Sequence, residues 1–206
     1  MKLYLLRHGE CGKRSTENPD PPLTDEGIGQ SEKMSKGFLK ADIAAIYHSP
    51  HLRAKQTAEI IFKDINRHGL EIQSSELIRE KQDPDWFNAE NRRDLPWDII
   101  KKERLNPDWK LDGGESFREM NGRILSALEL MIRNHGTNRN ILWVTHNSVI
   151  KFILASVVLG DKKELTDLFY SAFDRIEIKR GGYYAIEYKK KYYEPYPDWY
   201  LVNGNI

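Results

Sequence analysis

Cysteine is nearly missing: Cys11 stands alone among 206 residues, so no internal disulfide can form, which fits a reducing compartment. A dominant charge is missing as well. With 31% charged residues but a net charge of +1, the chain is not a polyelectrolyte that binds nucleic acid over its whole surface, although a local basic pocket stays open. Long apolar runs are absent too. The N-terminal apolar stretch ends at Leu6 before Arg7, too short for a signal-peptide core, and residues 152–159 fall far short of a membrane span. No useful internal repeat and no low-complexity tract occur. The expectation is a cytoplasmic globular protein with one domain over residues 1–206 and no membrane partner.

Periodicity and turn residues order what is present. Residues 2–6 read as a strand, followed by a polar loop to Leu23 in which Pro19, Pro21 and Pro22 forbid regular structure. Thr24 reads as an N-cap, with Asp25 and Glu26 favouring the first turn of a helix to about Leu39. Residues 43–47 read as a second strand. Ser49-Pro50 reads as a helix start, a capping hydroxyl followed by proline at the first helical position, and that helix is expected to stop near Gly69. Residues 70–78 are ambiguous, with a short strand at their beginning.

Ser116 and Glu119 form a capping box ahead of a long amphipathic helix that Gly136 ends. Residues 141–145 read as a buried strand and 149–159 as a helix. Residues 175–178 and 183–188, separated by Gly181-Gly182, read as a hairpin. This alternation predicts an α/β protein, a three-layer α/β/α sandwich with a mostly parallel central sheet. Residues 81–113 break the rhythm with Trp86, Trp97 and Trp109 and with Pro84, Pro96 and Pro107. They read either as a small cap insert over the pocket or as a surface subdomain with its own core.

Two strand ends carry the chemistry. Residues 2–6 run into Arg7-His8-Gly9, and residues 141–145 run into His146-Asn147. Ligands of open α/β sheets bind outside the carboxyl ends of strands. If these two strands are parallel neighbours, His8 and His146 face one pocket beside Arg7. Two imidazoles and a guanidinium suit chemistry on an anion, above all a phosphoryl group.

The constellation resembles the histidine phosphatase superfamily, the phosphoglycerate-mutase-like enzymes. Leu6-Arg7-His8-Gly9-Glu10 looks like its signature. Ser49-Pro50-His51-Leu52-Arg53-Ala54-Lys55-Gln56-Thr57-Ala58 is similar to its second motif, and Leu23-Thr24-Asp25-Glu26-Gly27, Gly113-Gly114-Glu115-Ser116 and Val144-Thr145-His146 match further blocks in the family's order. The resemblance runs from residue 3 to about residue 150. It implies a phosphoglycerate-mutase-like fold and a metal-independent phosphomonoester hydrolase with no cofactor. His8 would attack as neutral imidazole, its pKa lowered by neighbouring arginines, and form a phosphohistidine intermediate. Arg7 and Arg53 would hold phosphate oxygens, Arg53 from the first turn of its helix, where free amides also favour anions. His146 would complete the pocket, protonated when phosphate is bound. By its position after Ile78-Arg79, Glu80 resembles the family's proton donor to the leaving alkoxide. Its competitors are Glu76, Glu90 and Glu115, the last of which could instead fix the Gly113-Gly114 turn. Asn147 is counted with Arg7, Arg53 and Arg14 among the substrate-binding groups.

Departures from the family pattern mark where selectivity would reside. Many relatives carry threonine after the signature glutamate and asparagine three residues later, where this chain has Cys11 and Arg14. Arg14, with Lys13, could contact phosphate or substrate or be a solvated loop charge; Cys11 could make activity sensitive to oxidation. Trp86 resembles a tryptophan that follows the acid in some relatives, but the accompanying glycine pattern is absent. His48 and His51 could join His8 and His146 in a metal site, yet no paired His-x-x-x-His or Cys-x-x-Cys spacing supports one. Seven of the ten tyrosines lie between Tyr183 and Tyr200, interleaved with Lys189-Lys190-Lys191. They read as a packed sheet edge or a homodimer contact rather than a nucleic-acid surface. The substrate would be a phosphorylated metabolite or a phosphoprotein. The alternatives are a phosphoglycerate-type phosphomutase, for which the chain looks short, and a non-catalytic phosphate-binding protein.

Overall fold

Leu3 and Leu5 join the core on one side of the sheet and Leu6 joins the core on the other, so Lys2–Arg7 forms a strand, β1, buried on both faces. Fully burying each such leucine contributes about 1.5–3 kcal/mol. The computed structural model describes residues 1–15, 17–84, 96–159, 167–191 and 197–205. The further strands are β2 (Ile43–His48), β3 (Glu71–Ser74), β4 (Asn140–Thr145), β5 (Tyr183–Lys189) and β6 (Asp198–Asn205), in the sheet order β3-β2-β4-β1-β5-β6. β1 to β4 are mutually parallel, and β5 runs antiparallel to both β1 and β6.

Helices α1 (Asp25–Phe38) and α2 (Leu52–Ile65) cover one face. Phe38, Ala54, Ala58 and Ile61 there meet Leu6, Ile43, Ile46, Leu142 and Val144. The other face carries α4 (Phe117–His135), α5 (Asn147–Leu159) and α6 (Asp167–Arg175), packed through Phe117, Met120, Ile124, Phe152 and Phe169. This is the three-layer α/β/α arrangement with a mostly parallel sheet. Between β3 and α4 lie a 3₁₀ turn (Glu76–Ile78) and helix α3 (Trp97–Leu105).

Local signals held where a side chain could satisfy them nearby. Thr24 Oγ1 accepts from the Gly27 amide at 3.2 Å, and Ser116 and Glu119 form the full capping box at the start of α4. Ser49 does not cap α2, however. That helix begins at Leu52, whose amide donates at 2.7 Å to the Asp20 carboxylate, while the Ser49 hydroxyl is 2.7 Å from His146 Nε2. A carboxylate is the stronger acceptor at a helix N-terminus, and the hydroxyl finds a buried imidazole instead. The same helix ends at Ile65, where Asn66 takes the left-handed conformation, rather than near Gly69.

The hairpin of residues 175–178 with 183–188 does not form. Arg175 ends α6, and β5 pairs with β1 and with β6. An isolated two-stranded hairpin is marginal in water, whereas β5 satisfies both of its edges inside the sheet. Of the stretch 81–113, residues 85–95, which include Trp86 and Glu90, lie outside the described residues. No helix among the described residues is long and apolar enough to cross a membrane.

Candidate active site

Parallel pairing of β1 with β4 sets the site. Arg7 lies opposite Thr145 in the register, so the next residue of each strand, His8 and His146, leaves the sheet at the same level. The His8 amide donates to the Thr145 carbonyl at 3.1 Å, and the two imidazole centroids are 5.1 Å apart. The chain then turns tightly against α1. A Cβ on Gly9 would lie 2.5 Å from the Gly27 carbonyl oxygen, and one on Gly27 would lie 1.9 Å from the Glu10 carbonyl oxygen. Only glycine at both positions allows this approach. The Gly9 amide donates to Thr57 Oγ1 at 3.1 Å, tying the turn to α2.

His8 is buried, with Nδ1 at 2.7 Å from the Gly9 carbonyl oxygen. A carbonyl can only accept, so Nδ1 carries the proton and Nε2 keeps its lone pair. Arg53 Nε donates to that lone pair at 3.2 Å. Burial above all, and then the positive charge of Arg53, push the His8 pKa down to about 3, against an opposing pull from the Gly9 hydrogen bond. The sequence-based expectation named arginines as the cause; desolvation is the larger one.

Arg53 links both histidines, its Nη2 standing 3.3 Å from His146 Nδ1. His146 is completely buried, and desolvation followed by the His8 and Arg53 charges lowers its pKa well below the ordinary value. It is neutral here; the protonated form belongs to the expectation for the phosphate-bound pocket. Arg7 donates through Nη1 to the Ile178 carbonyl at 2.5 Å, while its Nε is buried without a hydrogen-bond partner. A buried cationic donor left unpaired costs about 1–3 kcal/mol or more, a cost that an anion's oxygen removes.

The remaining candidates sit around this centre. Glu80 lines a cleft of about 200 Å³ with Arg14, His51, Arg79 and Lys81, and its charge acts on Arg7. Its Oε1 accepts from the Lys81 amide at 2.9 Å. Arg14 is exposed on the rim of that cleft. Asn147, the first residue of α5, lines a separate opening of about 290 Å³ with Arg7 and Lys151.

Of the competing acids, Glu76 is exposed. Glu115 is occupied: it accepts from Arg79 at 3.0 and 3.1 Å, from Arg123 at 2.6 and 2.9 Å, and from the Gln82 amide at 3.1 Å. Burial alone would raise its pKa, but Arg123, Gln82 and Arg79 together outweigh burial and hold the carboxyl below its usual value. Cys11 is half-buried, and burial raises its thiol pKa despite the nearby arginines, so the thiolate is disfavoured. Among the described residues no group of three or more His, Cys, Asp or Glu side chains is placed to hold a metal ion; His48 Nδ1 instead meets the Ser49 carbonyl at 2.8 Å.

Sequence reasoning missed two members. Asp20 receives Arg53 Nη1 at 3.1 Å and lies 3.4 Å from His51 Nδ1, fixing the guanidinium that faces both histidines. Its signal was a lone carboxylate in a proline-bound loop, whose fold-back onto α2 is a long-range event. Arg180 pairs with Glu10 and adds positive charge beside Arg7 and His8.

The model of the histidine phosphatase superfamily (branch 1) matches residues 3–194. A probable phosphoglycerate mutase GpmB of Salmonella choleraesuis (strain SC-B67) is 28% identical over 173 residues, 78% of this chain and 75% of that protein. The mycobacterial glucosyl-3-phosphoglycerate phosphatase complexed with VO3 superposes with a TM-score of 0.75 at 20% identity, over 97% of this chain and 96% of that one. A phosphoserine phosphatase mutant of Entamoeba histolytica in complex with phosphoserine gives a TM-score of 0.73 at 23% identity, over 99% and 96% of the two chains. At these identities the two structural likenesses establish a shared fold.

Proposed function

The chain belongs to the histidine phosphatase superfamily, and on that premise we propose that it hydrolyses phosphate monoesters through a phosphohistidine at His8, without a metal or other cofactor. The observation that carries this reading is a neutral imidazole whose Nε2 lone pair faces the cationic head of Arg53, with a buried, unpartnered Arg7 donor beside it. The Nε2 lone pair attacks phosphorus as the ester P–O bond breaks, and Arg7, Arg53 and His146 take the charge of the non-bridging oxygens. Glu80 gives its proton to the departing alkoxide. Water then attacks phosphorus as the P–Nε2 bond breaks, Glu80 takes a proton from that water, and inorganic phosphate and free His8 are released.

The substrate in this reading is a small phosphorylated metabolite, in keeping with the small esters named for the superposed phosphatases. Arg14 and Asn147 contact it from the two sides of the pocket. The chain is a single domain in this reading, the setting is cytoplasmic, and the sheet edge formed by β6, which carries Tyr200, serves as a homodimer contact, whereas Tyr183, Tyr184 and Tyr188 lie on the inner strand β5.

Para-nitrophenyl phosphate hydrolysis tests the reading. His8→Ala should lower kcat by on the order of 10³-fold or more, and wild type should yield an acid-labile, alkali-stable phosphoryl label that the variant lacks. Comparable rates in the two proteins would reject His8 as nucleophile, and binding without turnover would leave a phosphate-binding protein. Phosphate release without a bisphosphoglycerate requirement separates hydrolysis from mutase transfer. Glu80→Gln should slow alkyl phosphates by about 10²–10⁴-fold and activated aryl phosphates much less; equal losses on both would remove Glu80 as the acid.

A further inference from the structure

Lys81 directly follows the proposed acid in the chain, and its backbone and side chain serve different partners. Its amide donates to Glu80 Oε1 at 2.9 Å. Its ammonium turns away to Glu103 Oε1 of α3 at 2.5 Å and stands 5.2 Å from the centroid of the Phe117 ring at the start of α4. Both side chains of this ion pair are largely buried, 11% and 19% exposed. The backbone on either side is pinned. The Glu80 carbonyl accepts from Arg79 Nη1 at 3.1 Å and from Arg123 Nη2 at 3.3 Å. The Gln82 amide donates to Glu115 Oε2 at 3.1 Å, and the Gln82 carbonyl accepts from the Glu115 amide at 2.9 Å. The Lys81 side chain is the movable part of this segment.

Two cavities meet at Lys81. It lines the cleft that holds Glu80, and it lines the space between this segment, Glu103 and Trp109. Released from Glu103, the ammonium has a flexible stem with which to turn from the second space into the first. The consequence for Glu80 is chemical. A proton donor has to keep its proton until the alkoxide forms, and each neighbouring cation favours the carboxylate instead. The Glu80 charge already acts on Arg7 of β1, and Arg123 of α4 reaches its carbonyl. Arg14, His51 and Arg79 share its cleft, where Asp83 opposes them. One more ammonium there would add to the cationic pull.

We propose that Glu103 is a positioning residue: from α3 it holds the Lys81 ammonium away from Glu80, and so leaves Glu80 able to carry the proton that it gives to the departing alkoxide. This inference rests on the reading of Glu80 as that donor. Glu103 acts through Lys81 and not on the reacting atoms, and the Phe117 ring face supports the ammonium on the same side. Helix α3 thereby takes part in proton transfer from outside the pocket.

The pH profile of kcat/KM on ethyl phosphate tests it, because loss of the proton from the acid sets the alkaline limb. Glu103→Met removes both charge and acceptor. It should move that limb about one pH unit lower, so that kcat/KM on the limb falls about tenfold. Para-nitrophenyl phosphate, whose leaving group needs little proton transfer, should change less than about twofold. Glu103→Gln keeps an acceptor for the ammonium and should move the limb less. Adding Lys81→Met to Glu103→Met should return the limb to its wild-type position, since no ammonium is left to pair with Glu80. A limb unmoved in Glu103→Met, or moved equally in the double variant, would overturn the proposal. Should Glu103→Met not fold, Glu103→Gln with and without Lys81→Met makes the same comparison. NMR titration of isotope-labelled glutamate carboxyls gives a readout without turnover. The Glu80 resonance, assigned by its loss in Glu80→Gln, should titrate at lower pH in Glu103→Met than in wild type and return in the double variant. That result, with equal losses of Glu80→Gln on alkyl and aryl esters, would uphold the role of Glu103 and remove Glu80 as the acid. Selective losses in Glu80→Gln with an unmoved resonance would sink the role of Glu103 alone.

Discussion

Two buried charged clusters in this protein use the same residue types to opposite ends. Around Glu115, the Arg79 and Arg123 guanidiniums converge on one carboxylate with hydrogen bonds of 2.6–3.1 Å. Around His8, Arg7 and Arg53 converge on a neutral ring; the Asp20 carboxylate reaches Arg53 from a side chain 39% exposed, and Arg7 Nε finds no partner. The first cluster has matched its charges internally and holds the chain after the 3₁₀ turn to the start of α4. The second keeps an excess of donors, which is what a dianionic phosphoryl group requires. Whether buried arginines build structure or bind ligand is decided by the carboxylate between them.

That contrast can be broken or sharpened by experiment. Glu115→Ala should give the largest effect, since it strands two guanidiniums. A loss of about 3–5 kcal/mol in urea unfolding is expected, and a loss under about 1 kcal/mol would show that the cluster is not structural. Arg53→Ala should reverse the pattern, with kcat falling about 10²–10³-fold and a smaller loss of stability than Glu115→Ala; a variant that unfolds as readily as Glu115→Ala would erase the distinction.

A further contrast lies in the pH dependence of stability. Unfolded His8 binds a proton below its ordinary pKa of 6.5, whereas the folded ring refuses it until about pH 3. The unfolded state therefore holds more protons in that window, so stability rises with pH between about 3 and 6.5 and falls on acidification. His8→Asn should reduce that slope by up to about 1.4 kcal/mol per pH unit, measured by unfolding at pH 4, 5 and 6. An unchanged slope would mean that folded His8 titrates near its ordinary value.

Much of the inner site was legible because its determinants are short-range. A strand ending in Arg7-His8-Gly9, a second ending in His146, and Arg53 in the first turn of α2 need only a parallel pairing to meet. The misreadings share one cause. The Ser49 hydroxyl, read as a helix cap, is engaged by His146, a residue 97 positions away. Asp20 supplies that helix with its N-terminal acceptor from 32 positions away, and the stretch 175–178, read as a strand, instead ends α6 and serves Arg7 through the Ile178 carbonyl. Each local rule was sound, and each lost to a distant partner with a stronger or more buried bond to offer.

The residue order alone determined the α/β alternation, the capping of α1 and α4, and the set of groups able to handle phosphate, because these follow from propensity, period and side-chain chemistry acting over a few residues. Only the tertiary structure decided which nitrogen of His8 is free, which arginines remain uncompensated, and that Asp20 and Arg180 join the site. Protonation state and charge balance depend on burial and on through-space distance, and the folded chain sets both by bringing together residues that lie far apart along it.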